Sequence, residues 1–448
     1  MALRGRRYVL LAILITALIA LVLLRREPFQ RARDLLVNRY RPPPRHMPDP
    51  NWTPPPIKNP FPTLSGTGAS PPQIPIWNRP KKKLYKKYGL DYAPPLLIGF
   101  TRAWPVLLQA VVSYLTAGWP ADQIWIVDNT GASRANAAGR LTLQNPLFLD
   151  HGLLRRLGVR VLSTPVLMTF AQLQNYYTHL AHVHGWPWYF WSHMDVLVLS
   201  YEEGLQGVTP AAGETGYKTV YELCLAELQL RRKESLRWSS VFFSYDHLTL
   251  VNREAYDDVG GWDVFIPYYM NDCDMHSRLM MRNWSQPEAR AGIITDVSTV
   301  LDDLRALYRD PDVEPAFTDP NPPKPDPDPS QDDDDDDNEQ ALNETRHQKR
   351  ADPQSADPQS YFQRLKTVAD SMFHYKHGER GRNTWQLGQH GGQGEPFYYP
   401  ARGLAEATDV LTEAGREVFR RKWGHKDCDL IDGGKRGFDD QWRVEKDW

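Results

Sequence analysis

Between residues 96 and 200, hydrophobic and polar positions follow a strand–helix rhythm. Leu96-Leu-Ile-Gly-Phe100 is a short apolar run, which predicts a buried strand. Residues 105 to 115 are apolar at helical spacing, with Pro105 suited to the first turn and Gly118 and Pro120 to the stop. Ile124-Trp-Ile-Val-Asp128 predicts a second strand and residues 159–164 (VRVLST) a third. Residues 170–184 predict a helix, and residues 188–200 (WYFWSHMDVLVLS) a fourth, longer strand. Strands alternating with helices predict an α/β body built on a mainly parallel sheet.

The flanks have other patterns. Tyr8 to Leu24 carries no charge, Pro or Gly. About 17 residues at 1.5 Å each span roughly 25 Å, enough for a thin bilayer. The expectation is a transmembrane anchor at 8–24 behind a cytoplasmic tail at 1–7. A cleaved signal peptide is the rival, but Leu21-Val-Leu-Leu24 runs straight into Arg25-Arg26 rather than into small residues. Arginines flank both ends, so their count does not orient the segment. Residues 25–94 are rich in Pro and basic residues, the composition of a solvated stem. Residues 311–360 contain PDPDPS, a run of six Asp and the repeat ADPQSADPQS, which predicts a disordered acidic insertion. Aromatics and helical spacing return at 361–448. These residues are read as the end of a catalytic domain that starts at 95 and is interrupted after 310.

Composition adds three constraints. The chain has 448 residues, 41% of them apolar, which is enough for a substantial core. Its net charge of −2 gives no nucleic-acid footprint, so nucleic acid is not an expected partner. Cys224, Cys273 and Cys428 form neither a disulfide framework nor a zinc pattern; one bridge and one spare thiol are possible, with the pair undecided. Three glycosylation sequons, Asn51-Trp-Thr, Asn283-Trp-Ser and Asn343-Glu-Thr, fit a lumenal body.

Candidate chemistry gathers at strand ends, where open α/β sheets bind ligands. The first strand ends in Thr101-Arg102, the second in Asp128-Asn129, and the fourth contains His193-Met-Asp195. An Arg suits phosphate, a carboxylate suits ribose hydroxyls, and Asp195 beside His193 suits a divalent ion on a diphosphate. A second cluster is the segment from Gly260 to Arg278 (GGWDVFIPYYMNDCDMHSR). Gly261 allows close backbone approach, Trp262 offers a stacking face, and Asp263 offers a carboxylate. Asp272 and Asp274 open a predicted helix, whose N-terminus favours negative charge. Asp274 is spaced to pair with Arg278, which leaves Asp272 as the general base.

In this order the motifs resemble GT-A glycosyltransferases, above all the family 2 type. The carriers are GFTR, IVDNTGAS, Asn175 in AQLQNYY, His193-Met-Asp195, GGWD and NDCDMHSRL, over roughly residues 96 to 280. The resemblance implies a GT-A fold and a Golgi- or ER-resident type II membrane enzyme of fungal type with a lumenal catalytic domain. It implies inverting transfer from a nucleotide-sugar donor, with UDP as the default, to a glycan or glycoconjugate acceptor. Thr101, Arg102, Asp128, Asn129, Asn175, His193 and Asp195 would bind the donor, Gly261, Trp262 and Asp263 the acceptor, and Asp272 would take the acceptor's proton. Residues 372–383 (MFHYKHGERGRN) are similar to the late His segment of β-1,4-galactosyltransferases, as is Lys422-Trp423-Gly424 to a Lys-Trp-Gly element there. By that similarity His377 joins Asp195 and His193 on Mn²⁺ or Mg²⁺, with His374 in reserve. Two positions depart from the pattern: His193 replaces the first Asp of Asp-x-Asp, and Asn271 replaces Glu before Asp272. These leave open a catalytically weak or inactive sugar-binding relative. A glycoside hydrolase using paired carboxylates accounts for the acids but not for Arg102, Asp128 and the His193–Asp195 pair.

Overall fold

The structure is a computed structural model that describes residues 12–21, 30–31, 33–36, 42, 57–64, 69–234, 236–319, 358–378 and 401–448. The chain divides into two compact units, Met1–Thr53 and Pro54–Trp448. In the first, residues 12–21 are helical. Among the described residues no helix is long and apolar enough to cross a membrane. The rest of the expected anchor, 8–11 and 22–24, lies outside the described residues.

The second unit is the α/β body. Its strands are β1 (Leu96–Phe100), β2 (Ile124–Asp128), β3 (Arg160–Ser163), β4 (Trp188–Ser192), β5 (Val196–Leu199), β6 (Ser240–Phe242), β7 (Leu248–Asn252) and β8 (Ile293–Asp296). Its helices are α1 (Leu84–Lys87), α2 (Trp104–Thr116), α3 (Ser133–Ala137), α4 (His151–Arg156), α5 (Phe170–Val183), α6 (Val220–Lys233), α7 (Arg253–Val259), α8 (Asn271–Met281), α9 (Pro358–His377) and α10 (Ala401–Trp423).

Six strands form the main sheet in the order β3-β2-β1-β4-β7-β6. The first four are parallel, and β7 runs antiparallel to both neighbours. The expected mainly parallel α/β sheet is therefore present. β1 is apolar almost throughout because both faces are covered, as parallel sheets require. Helix α2 is buried nearly all round, and its apolar side chains join β1, β2 and β5 in one core. Gln109 inside it is satisfied by the Thr299 carbonyl and the Leu301 N–H, which ties the helix to the segment after β8.

The long fourth strand expected at 188–200 is two strands in two sheets. β4 stays in the main sheet, whereas β5 pairs antiparallel with β8 in a separate two-stranded sheet. The break falls on His193-Met-Asp195, where the His193 N–H still donates to the His247 carbonyl and the Asp195 carbonyl accepts from the Val297 N–H. Two more expectations need correction. Residues 57–64 and 69–94 are not a free stem: Phe61, Leu64, Leu84, Tyr88 and Leu90 are buried in the main core. Buried Asn78 donates to the Thr116 carbonyl and to Glu202. Their Pro content hid scattered apolar anchors. Residues 311–319 are packed too, with the Val313 carbonyl accepting from the Tyr361 hydroxyl. The remainder of the expected insertion, 320–357, lies outside the described residues.

Cys273 on α8 and Cys428 beyond α10 form a disulfide, and Cys224 is a buried free thiol. The pair that spacing could not choose thus ties the C-terminal segment to the helix carrying Asp272.

Candidate active site

The parallel pairing of β1 with β2 brings their C-terminal ends together, and the Asn129 N–H donates to the Phe100 carbonyl at 2.8 Å. Asp128 is fully buried there. One oxygen accepts from the Thr130 hydroxyl at 2.6 Å, and the other faces His151 Nε2 at 2.8 Å. Asn129 is a cross-brace. Its amide donates to Thr101 Oγ1 and the Met168 carbonyl, and accepts from the Met168 N–H. Thr101 and Asn129 are therefore joined, as strand-end reasoning expected, but the Asn129 amide is already engaged by protein. Arg102 is buried beside Tyr268 and Asp409; burial pulls its pKa down against those two neighbours.

Asn175 on α5 is likewise a clamp. Its amide accepts from the Trp262 N–H and donates to the Trp262 carbonyl, both at 2.8 Å. Gly261 sits at φ +74°, and a Cβ there would lie 2.6 Å from Asn175 Oδ1, so the clamp requires glycine. Trp262 does not offer an open stacking face. It is 3% exposed, with Phe170 and His276 packed edge-on against its ring. Asp263 faces Lys422 Nζ at 2.7 Å.

The helix carrying both candidate carboxylates separates their roles. Asp274 is fully buried, accepts from Arg278 Nε at 2.8 Å and from Trp423 Nε1 at 2.9 Å, and faces Lys422 at 2.7 Å. Arg278 goes on to the carbonyls of Val259 and Gly261. Asp272, half-buried in the first turn, has no hydrogen bond or ion pair to another described residue. Its charge is felt by Tyr245 and by His276.

These neighbours lead into a charged cluster at the β4–β5 break. His193 lies with Nδ1 3.7 Å from Asp195 and Nε2 3.4 Å from Asp246. Burial opposes charge on His193, but Asp246 and Asp195 prevail and push its pKa up to about 10. Burial also opposes ionisation of Asp195, yet His193 and Lys376 hold its carboxyl well below the usual carboxylate range. Lys376, buried on the last turn of α9, reaches Asp195 Oδ2 at 2.7 Å and also bonds Asp296. Its pKa is raised: burial opposes the charge, and the two carboxylates outweigh burial. His377 Nε2 is 3.2 Å from Asp296. Burial and the His193 charge push His247 down, while burial alone sets the direction at His276.

Strand-end reasoning missed Asp246, Asp296 and Lys376. Asp296 closes β8 as Asp128 closes β2, so the same signal was present there. Asp246 sits on the β6–β7 hairpin, where a polar turn is the ordinary reading. Lys376 adjoins His377, and no sequence signal distinguishes it.

A divalent ion was expected on Asp195, His193 and His377. Carboxylate and imidazole are suitable donors, but the place between Asp195 and Asp296 belongs to an ammonium, and His377 meets Asp296 rather than Asp195. The residues therefore do not fit the ion as they stand. Elsewhere, His425, Asp427 and Asp429 put ligand atoms within 4.8 Å of one another on the turn after α10. His425 there already pairs with Asp429 and Asp447.

No family model matches the sequence, and no curated protein matches it. Among solved structures the chain is similar to the mannosyltransferase PcManGT from Pyrobaculum calidifontis, determined in complex with GDP-Man and Mn²⁺. The likeness covers 46% of this chain and 60% of that one, at 10% identity and a TM-score of 0.28. The chain thus spans less than two thirds of that structure, and a likeness this distant carries no functional argument.

Proposed function

We propose that this protein is a glycosyltransferase that moves a sugar from a nucleotide-sugar donor to a hydroxyl acceptor with inversion, Asp272 serving as general base. One observation carries the reading: among the described residues Asp272 has no hydrogen-bond or ion-pair partner in the first turn of α8, while Asp274 two residues on is fully engaged. A general base must be free to take a proton, and the first turn of a helix is a favourable place for a carboxylate. The acceptor oxygen forms a bond to the sugar's anomeric carbon and gives its proton to Asp272. The bond from that carbon to the diphosphate breaks, and its electron pair leaves with the phosphate oxygen. Arg102 and Thr101, at the end of β1, frame the donor's nucleotide side, with Asp128, Asn129 and Asn175 bracing the walls. Gly261 and Asp263 shape the acceptor side, where Trp262 acts by packing.

A type II membrane layout with the body in the Golgi or ER lumen belongs to the same proposal. The apolar run at 8–24 supports it. So does the Cys273–Cys428 disulfide, since such bonds persist in oxidising compartments.

A non-catalytic sugar-binding relative is the second reading. It is favoured by His193, which stands where the pattern has an Asp and lies within ion-pair distance of Asp195 and Asp246.

The test is thermal unfolding of the full-length chain with UDP- and GDP-sugars. A ligand that binds the native state raises the midpoint by mass action, by about 2.7 kcal/mol of stability at a hundredfold excess over Kd. A rise with one donor and not with its free sugar supports the reading. No rise with any nucleotide sugar contradicts both the transferase and the binding relative.

A further inference from the structure

We infer that the Lys376 ammonium occupies the cation position of this site, so that the donor diphosphate meets a cation built into the chain rather than a divalent ion. The inference rests on the transferase reading and deepens it. The two carboxylates that frame the position are set by the small sheet. Val196 is paired with Asp296 across β5 and β8, and the Val297 N–H donates to the Asp195 carbonyl at 2.9 Å. Lys376 enters between them from the end of α9 and bonds both.

The other expected ligands face inward as well. His193 has a carboxylate opposite each ring nitrogen, and His377 turns its Nε2 to Asp296. A divalent ion would have to displace the ammonium and leave a buried lysine without its counter-charges, which is strongly unfavourable.

An ammonium has three donors. Two are spent on Asp195 and Asp296, which fix its place. On this inference the third donates to a phosphate oxygen. In the transfer step the electron pair of the breaking carbon–oxygen bond ends on that oxygen, and Lys376 offsets the charge there while Asp272 receives the acceptor's proton. Electrostatic compensation of this kind needs no reorganisation, because the cation is held before the donor arrives.

The test is a Mn²⁺ titration followed by electron paramagnetic resonance. It uses the full-length chain carrying Asp427→Asn and Asn in place of each Asp at 332–337, so that neither the exposed set at 425–429 nor the acidic run contributes. With Lys376 present, no stoichiometric Mn²⁺ is expected. Lys376→Ala, or Lys376→Met if the alanine variant misfolds, opens the position and should bind one Mn²⁺ at least about tenfold more tightly. A stoichiometric Mn²⁺ on the Lys376 protein overturns the inference whatever the variants do. A folded variant that gains no Mn²⁺ also overturns it. Because the titration contains no donor, it reports on the cation position even if no nucleotide sugar binds. Failure of the thermal test would sink the transferase reading separately.

Discussion

Asp274 accepts from Arg278 Nε at 2.8 Å, one helical turn away, and both side chains are buried. The pair is the hub of the C-terminal packing, because Asp274 also holds Trp423 and Lys422 from α10. Removing one partner strands the other charge in the interior. Asp274→Ala should therefore lower stability by about 3–5 kcal/mol, measured by urea unfolding. Asp272→Asn, one residue before the disulfide on the same helix, should leave stability within about 0.5 kcal/mol. Similar losses at the two positions would erase the division of labour between them.

His193 gives the pH dependence a definite sign. Its folded pKa stands near 10, above the ordinary 6.5, so the folded state binds its proton more tightly than the unfolded chain does. The contribution is fully present below about pH 6.5 and is lost as pH rises through 10. Stability should decline between pH 7 and 10, and His193→Gln should flatten that part of the slope. The imidazole resonance of His193 should report protonation well above neutrality; a midpoint near 6.5 would refute the ion-pair geometry with Asp195 and Asp246.

The Cys273–Cys428 bond closes a long loop, its ends 155 positions apart in sequence. Cross-links of this kind contribute about 2–4 kcal/mol, mainly by restricting the unfolded chain. Cys273→Ser should lower the unfolding midpoint accordingly. Cys224→Ser should leave thiol titration of the native protein unchanged, since that thiol is fully buried.

Asn283 is exposed, at φ +60° on the turn after α8. If the body is lumenal, this sequon is open to glycosylation, and an amidase shift lost in Asn283→Gln would report it. Digestion of the body by protease added outside sealed vesicles would contradict the lumenal placement.

Much of the sheet could be read from periodicity because its central strands β1 and β2 are largely buried and so run continuously apolar. β1, β2 and β3 fall where the apolar runs lie. The break between β4 and β5 could not be read, since apolar residues continue on both sides of Ser192-His-Met-Asp195 and only β8, some 95 residues later, draws β5 away. The packing of residues 57–64 escaped for a related reason: two anchors, Phe61 and Leu64, were outweighed by the surrounding prolines. In the site, single residues at strand ends were visible, whereas their partners were not. Asp128 could be picked out, but not His151 behind it; Asp195 could be picked out, but not Lys376, whose role depends on an approach from 181 residues away. The separation of Asp272 from Asp274 was visible, because i to i+4 spacing alone pairs Asp274 with Arg278.

The central claim is that Asp272 takes the proton of the acceptor hydroxyl. The most direct measurement is transfer by Asp272→Asn against the unaltered chain, using a donor that stabilises the protein and an acceptor hydroxyl glycan. Loss of a positioned general base costs about 10²- to 10⁴-fold in rate. A loss of that size is expected, with the donor's thermal shift retained. Full turnover by Asp272→Asn would contradict the claim.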